Sequence, residues 1–211
     1  MAKHTFAMAD VTGDTRLLAR SAKGYDWNYL ADNETLLFGS TDETAFSVKN
    51  ITPATGISEG TGTLFKGSIM RMGDVIETTI VIDVTGLNSG DADGDIIGKA
   101  ATANCHLGRI TAAGNGTVFA GSMQCVETPA GGEPDIDLYS ATEATGTEEA
   151  LITGLTETAL LAAAADWTGN LAPKGLTALP AADQYLYLAG GGGVTNATYT
   201  AGKFVIKLYG Y

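Results

Sequence analysis

Residues 200–211, which have the sequence TAGKFVIKLYGY, are the stretch that decides the fold. After Gly202, apolar side chains recur at alternate positions, at Phe204, Ile206 and Leu208. A period of two is typical of a β-strand buried on one face, because successive side chains of a strand point to opposite sides. We therefore expect this segment to be part of a sheet, within one closed β-rich unit.

The same pattern recurs through much of the preceding chain. The strongest example is residues 75–84, where Ile76, Ile80 and Ile82 fall on one face and β-branched residues dominate. Shorter candidate strands lie near residues 36–38, 45–48, 63–70, 105–111, 118–126, 135–139 and 184–189. The Asn115-Gly116 pair predicts a hairpin between the strands that flank it. The sequence thus predicts an all-β fold, either a β-sandwich or jelly roll or a barrel-like closure.

One segment departs from this pattern and predicts a helix over residues 147–166. Thr145 and Glu148 have the spacing of a capping box, and leucines and alanines follow at helical intervals. The run Ala162–Ala165 is a strong helix former, whereas Gly154 weakens the segment.

Residues 1–35 are weakly patterned and form either an N-terminal arm or an ordinary first pair of strands. Residues 36–211 are expected to form a single β-rich domain. Tyr25, Trp27 and Tyr29 lie in the first segment and are candidate partner-interface residues, since Trp and Tyr are favoured at the centres of interfaces. Packing into the core is the alternative for all three.

Composition limits the classes of partner. The 211 residues carry a net charge of −12, which argues against phosphate-mediated nucleic-acid binding and against an anionic membrane surface. No apolar run reaches membrane-spanning length, and the first residues lack a signal-peptide pattern. We expect synthesis in the cytosol, or a sequence that begins after processing.

The acidic loop around residues 88–95 is the sharpest local cluster. Asp91, Asp93 and Asp95 alternate and could converge on a hard cation such as Ca²⁺, although the rest of an EF-hand loop is missing. A solvated acidic turn is the alternative. No other cofactor is indicated.

Catalytic patterns are weak. Glu127 with Asp135 or Asp137 is a conceivable carboxylate pair for glycoside hydrolysis, but acidic residues beside turns are commonplace. Cys105 and His106 are sequence neighbours and would face opposite sides of a strand, so they make a poor catalytic pair. Cys105 and Cys125 are either two buried free thiols or a cross-strand disulfide. We therefore expect no enzymatic activity and assign no catalytic residue.

The chain resembles virion structural proteins of tailed bacteriophages of the marine type. The resemblance lies in residues 127–141 (ETPAGGEPDIDLYSA), in residues 184–188 (QYLYL) and in the terminal strand. In size, acidity and β content the chain is most similar to capsid decoration (cement) proteins. The resemblance carries no set of functional residues onto this sequence.

The resemblance implies a non-enzymatic protein that is made in the host cytoplasm and seated on the outer surface of a capsid. Its expected partners are the major capsid protein and copies of itself, as a homo-oligomer that the resemblance suggests is a trimer. Such a protein bridges neighbouring capsomers through many modest contacts. The alternatives are a tail or fibre component, and a carbohydrate- or ligand-binding β-sandwich that is Ca²⁺-dependent through the acidic loop.

Overall fold

The structure is a computed structural model, and it describes residues 49–163, 165–192 and 195–211 in full. Before residue 49 it describes the backbone of five strands alone. Four of these strands form an antiparallel meander: β1 (Ala7–Val11), β2 (Asp14–Arg20), β3 (Asp26–Leu30) and β4 (Thr35–Leu37). The division at residue 35 between an arm and a main domain stays a prediction.

A six-stranded antiparallel sheet forms one side of the body. Its strands, in spatial order, are β13 (Lys174–Gly175), β10 (Val118–Ala130), β16 (Ala201–Gly210), β7 (Val75–Asp83), β6 (Leu64–Met72) and β5 (Phe46–Asn50). The terminal strand β16 lies between β10 and β7, with Phe204 opposite both Cys125 and Ile82. Burial alternates strictly along β16, which confirms the strand predicted from its period of two.

A four-stranded antiparallel sheet forms the other side. Its order is β12 (Glu157–Leu161), β11 (Ile136–Ala141), β14 (Tyr185–Gly190) and β9 (His106–Arg109). A small two-stranded sheet pairs β15 (Ala197–Thr198) with β8 (Asn88–Ser89). Two one-turn helices, α1 (Thr55–Ser58) and α2 (Ala112–Asn115), occur in connecting segments of the described chain.

Both large sheets contribute to one continuous apolar core. Ile80, Phe204 and Ile206 come from the six-stranded sheet, and Leu138 and Leu186 from the four-stranded sheet; all five are 0% exposed. Trp167 is buried in the same core and meets the Phe204 ring edge-on, with 5.7 Å between ring centroids. This architecture confirms the all-β class.

The helix predicted over residues 147–166 is wrong. The segment instead contains a 3₁₀ turn at Ile152–Gly154, followed by strand β12, which pairs with β11. Leu160 and Leu161 are both buried, pairing with β11 satisfies backbone polar groups on one side of the strand, and the Leu160 carbonyl on the other accepts from the Thr177 N–H at 2.8 Å. Helix propensity is a weak prior, and here pairing and burial against the sheet override it.

The hairpin predicted across Asn115-Gly116 is also wrong, because β9 and β10 belong to different sheets. The connection contains α2, whose Asn115 side chain is 1% exposed. Its amide accepts a hydrogen bond from the Thr111 N–H at 2.8 Å and donates to the Thr78 hydroxyl at 2.7 Å. Asn115 therefore fastens the connection to β7.

Among the described residues, no helix has the length and apolarity needed to cross a membrane.

Candidate functional site

Three acidic residues are buried where the chain enters β11. Glu133, Asp135 and Asp137 are only 5%, 6% and 5% exposed. Asp135 and Asp137 share one side of the strand because side chains alternate, while Ile136 lies on the other side, in the core. Buried carboxylates are rare unless they are paired or bind a cation, so this cluster is the candidate functional site.

The glycine run after β14 lies against these carboxylates. Strand β14 pairs with β11 so that Gly190 is opposite Ile136, and the Gly191 N–H donates to the Asp135 carbonyl at 2.8 Å. A Cβ atom at position 191 would lie 3.0 Å from Asp135 Oδ1 and 3.0 Å from Asp137 Oδ1. The two oxygens therefore face the same small space, and a side chain at position 191 would fill it.

Burial governs the ionisation of this pair. Desolvation raises the pKa of Asp135, and the Glu133 charge raises it further. Desolvation also raises the pKa of Asp137, against the hydrogen bond that Asp137 Oδ1 accepts from the Ala163 N–H at 2.6 Å. Asp135 Oδ1 is buried and has no hydrogen-bond partner among the described residues. A backbone hydrogen bond from Ala165 and the Lys174 charge oppose the rise at Asp135, so Asp135 Oδ1 is the atom of the pair that lacks a donor.

Lys174 is the cation that stabilises the charged forms of both aspartates. Its ammonium group is directed elsewhere, however. Lys174 Nζ donates to the Ala163 carbonyl at 3.2 Å and lies 4.3 Å from the centroid of the Trp167 ring. Its charge therefore acts on Asp135 and Asp137 through space, without a direct ion pair.

The predicted calcium ligands are not gathered into a site. Asp91 and Asp93 are exposed, whereas Asp95 is buried and its Oδ2 accepts from the Ala92 N–H at 2.8 Å. Within the described ranges, no group of three or more His, Cys, Asp or Glu side chains is placed to hold a metal ion. Calcium binding by Asp91, Asp93 and Asp95 stays a prediction without a formed site. The Asp93 charge does raise the pKa of Asp137, so the acidic loop lies close to the buried pair.

Glu127 forms an ion pair in a different sheet from the one that contains Asp137. It is on β10, in the six-stranded sheet, and forms an ion pair with Lys203, which also contacts Asp83 at 3.3 Å. Asp137 belongs to β11 in the other sheet. The structure therefore gives no support for Glu127 and Asp137 as a hydrolytic pair.

The predicted aromatic interface lies largely beyond what the structure describes. Tyr25 is outside the described residues, and Trp27 and Tyr29 are described only as backbone positions of β3, opposite Ala19 and Leu36. Their role at an interface stays a prediction.

An open groove of about 450 Å³ lies beside β9, lined by Lys49, Thr52, His106, Arg109 and Thr111 among others. The His106 ring is 4.6 Å from the Tyr185 ring, and burial lowers the pKa of His106. His106 Nδ1 is buried and has no partner in the described part of the chain. The groove is thus bordered by an imidazole ring whose protonation burial disfavours.

Both cysteines are free and buried, which confirms the free-thiol alternative. Burial raises the pKa of Cys105 to about 12, and its Sγ donates to the Thr102 carbonyl at 3.2 Å. A protonated thiol in this environment is a poor nucleophile.

Sequence reasoning considered Asp135 and Asp137 but paired them with Glu127, and it missed Glu133 and Gly191. The available signal was the spacing of Asp135 and Asp137, which places both acids on one side at the start of a strand. Gly191 carries no local signal of this role, because its contact with Asp135 depends on the long-range pairing of β14 with β11. Comparison of the chain with protein-family models, with curated proteins and with solved structures gave no match.

Proposed function

We propose that this chain is a non-enzymatic structural protein of a bacteriophage virion, and that it decorates a capsid shell by bridging neighbouring capsomers. The observation that carries the proposal is the outer face of the six-stranded sheet, which combines exposed apolar side chains with internally paired charges. The resemblance of residues 127–141, 184–188 and 203–209 to phage virion proteins supplies the phage context. Those residues contribute to β10, β11, β14 and β16.

The outer face exposes large apolar side chains on adjacent strands. Leu64, Met72, Val75 and Val81 are 64%, 51%, 41% and 37% exposed. The register places Leu64 opposite Asp83 and Met72 opposite Val75, so all four side chains lie on the side of β6 and β7 that faces away from Ile80 and the core. Exposed apolar area of this kind on a flat sheet is typical of a surface that contacts another protein.

Two lysines of this face, Lys203 and Lys207, are paired with acidic residues, and a third, Lys66, is exposed opposite Val81. Lys207 Nζ lies 3.0 Å from Glu77 Oε1, and this contact lowers the pKa of Glu77 and raises that of Lys207. Lys203 lies between Asp83 and Glu127. The face is therefore close to neutral locally, although the chain carries −12 overall, so a partner can cover it without leaving these charges unpaired.

The test is binding of the purified protein to capsids that lack it, with copy number measured by mass spectrometry of intact particles. Val81→Asp adds a charge at the centre of the outer face. Leu179→Asp is the matched control, because Leu179 is 38% exposed and lies in the segment between β13 and β14. We expect saturable binding of the wild type and of Leu179→Asp, and at least tenfold weaker binding of Val81→Asp.

A copy number near that of the major capsid protein supports decoration, whereas a few copies per particle would indicate a tail or fibre role. Equal binding by the two variants would remove the outer face from the proposal. Size-exclusion chromatography with light scattering tests the proposed trimer.

The second candidate is a ligand-binding module, favoured by the groove at His106. Calorimetry with a panel of glycans and small anions tests it. Binding that is lost in His106→Ala, together with no association with capsids, would make it the better proposal.

A further inference from the structure

We propose that Asp135 and Asp137 bind a hard divalent cation, Ca²⁺ or Mg²⁺, in the space beneath Gly191. This site is distinct from the acidic loop at Asp91, Asp93 and Asp95, and it does not depend on the proposed capsid role.

The first argument is charge. Asp135 and Asp137 are both at least 94% buried, and the nearby Lys174 is turned toward the Ala163 carbonyl and the Trp167 ring. Two buried carboxylates on one side of a strand are costly, because each loses hydration that a distant charge does not replace. A divalent cation between the two aspartates would neutralise them directly.

The second argument is the unpartnered atom. Asp135 Oδ1 is buried in a residue that is 6% exposed, and no described residue donates a hydrogen bond to it. It faces the same space as Asp137 Oδ1, since both oxygens lie 3.0 Å from the position that a Cβ at residue 191 would occupy. The two oxygens can therefore be no farther apart than about 6 Å, which is close to the span of about 5 Å between two oxygens that bind one Ca²⁺ ion.

The third argument is the chemistry of the surroundings. Glu133 Oε1 accepts from the Asp135 N–H at 3.3 Å and lies against the next glycine, 3.2 Å from the position of a Cβ at Gly192, so it is not counted as a ligand. The side-chain atoms of Asp135 and Asp137 that could bind an ion are carboxylate oxygens, the donor type that Ca²⁺ and Mg²⁺ prefer. Mg²⁺ in particular is commonly held by one or two carboxylates and keeps several waters, so two aspartates suffice without a third side-chain ligand.

The proposed site explains why a glycine occupies position 191. Gly191 is held in place by the hydrogen bond from its N–H to the Asp135 carbonyl. A methyl group at this position would lie 2.8 Å from Asp135 Cγ and 3.0 Å from Asp137 Oδ1, so it would push the two carboxyl groups out of the arrangement that faces the ion. Gly191→Ala should therefore remove binding even though both carboxylates remain.

The experiment uses the full chain, stripped with EDTA and titrated separately with Ca²⁺, Mg²⁺ and Tb³⁺. Calorimetry measures stoichiometry and affinity, and Tb³⁺ luminescence excited through tyrosine reports proximity to Tyr139, whose pKa is raised in part by the Asp137 charge. We expect one ion per chain, a rise of the melting temperature on adding Ca²⁺ or Mg²⁺, and at least tenfold weaker binding in Asp137→Asn and in Gly191→Ala.

Asp91→Asn is the matched control, because Asp91 is an exposed acid of the neighbouring loop. It should bind the ion as the wild type does. Binding lost in Asp91→Asn but kept in Asp137→Asn and Gly191→Ala would assign the ion to the acidic loop and overturn the proposal. An absence of saturable binding in a folded wild type would also overturn the proposal. In that case a proton shared between Asp135 and Asp137 would be what neutralises the pair.

Discussion

Truncation of Phe204 is the sharpest test of the role assigned to strand β16. Phe204 is 0% exposed and packs edge-on against Trp167 at 5.7 Å between centroids. Strand β16 is hydrogen-bonded to β10 on one side and to β7 on the other, so its backbone has little freedom to move into a cavity. We expect Phe204→Ala to lower the free energy of unfolding by about 4 kcal/mol, within the range measured for buried phenylalanines.

Urea denaturation followed by far-ultraviolet circular dichroism measures this loss. With a slope of about 2 kcal/mol per molar urea, the midpoint should fall by about 2 M. Val205→Ala is the matched control, since Val205 is the next residue of β16 and lies on the half-buried outer face. Its cost should stay below about 1 kcal/mol. Losses that are equal in the two variants would refute the assignment of Phe204 to the core and Val205 to the outer face.

Three further predictions concern buried polar groups. Asn115→Ala should cost about 1–3 kcal/mol in urea denaturation, because the Thr78 hydroxyl loses its buried donor, whereas Asn115→Asp keeps an acceptor but not the donor. In metal-free buffer, Asp135→Asn should be more stable than the wild type at pH 7. The folded state holds the pKa of Asp135 above its ordinary value of 3.8, so the cost of ionisation disappears as the pH falls toward that value, and melting temperatures of the two proteins should converge near pH 4. The thiols of Cys105 and Cys125 should react with a disulfide reagent only after unfolding; rapid reaction of both in the native protein would contradict their burial.

The proposed capsid role and the proposed cation site are separable. Val81 on the outer face and Asp137 beside β14 belong to different sheets. A variant that releases the ion without affecting capsid binding, and one that does the reverse, would establish two independent properties. Loss of capsid binding on removal of the ion would instead indicate that the cation stabilises the body that presents the outer face.

The local sequence was enough to predict the strands that bury only one of their two faces. In β16 and β7, each side chain's environment follows from its parity, so Phe204 and Ile80 could be assigned to the core before any partner strand was known. The all-β class follows from the repetition of that pattern. For the two cysteines, the sequence left two alternatives open, free thiols and a disulfide, and the structure shows free thiols.

Tertiary structure decided what depended on contacts between distant residues. Residues 157–161 form a strand because β11 offers a partner, although their leucines and alanines also fit a helix. The Asn115-Gly116 segment connects two sheets because Asn115 bonds to Thr78 across 37 residues of chain. The candidate cation site exists only because β14 pairs with β11 and brings Gly191 against Asp135. Periodicity records which way a side chain points along its own strand, and it holds no information on which strand comes to lie beside it.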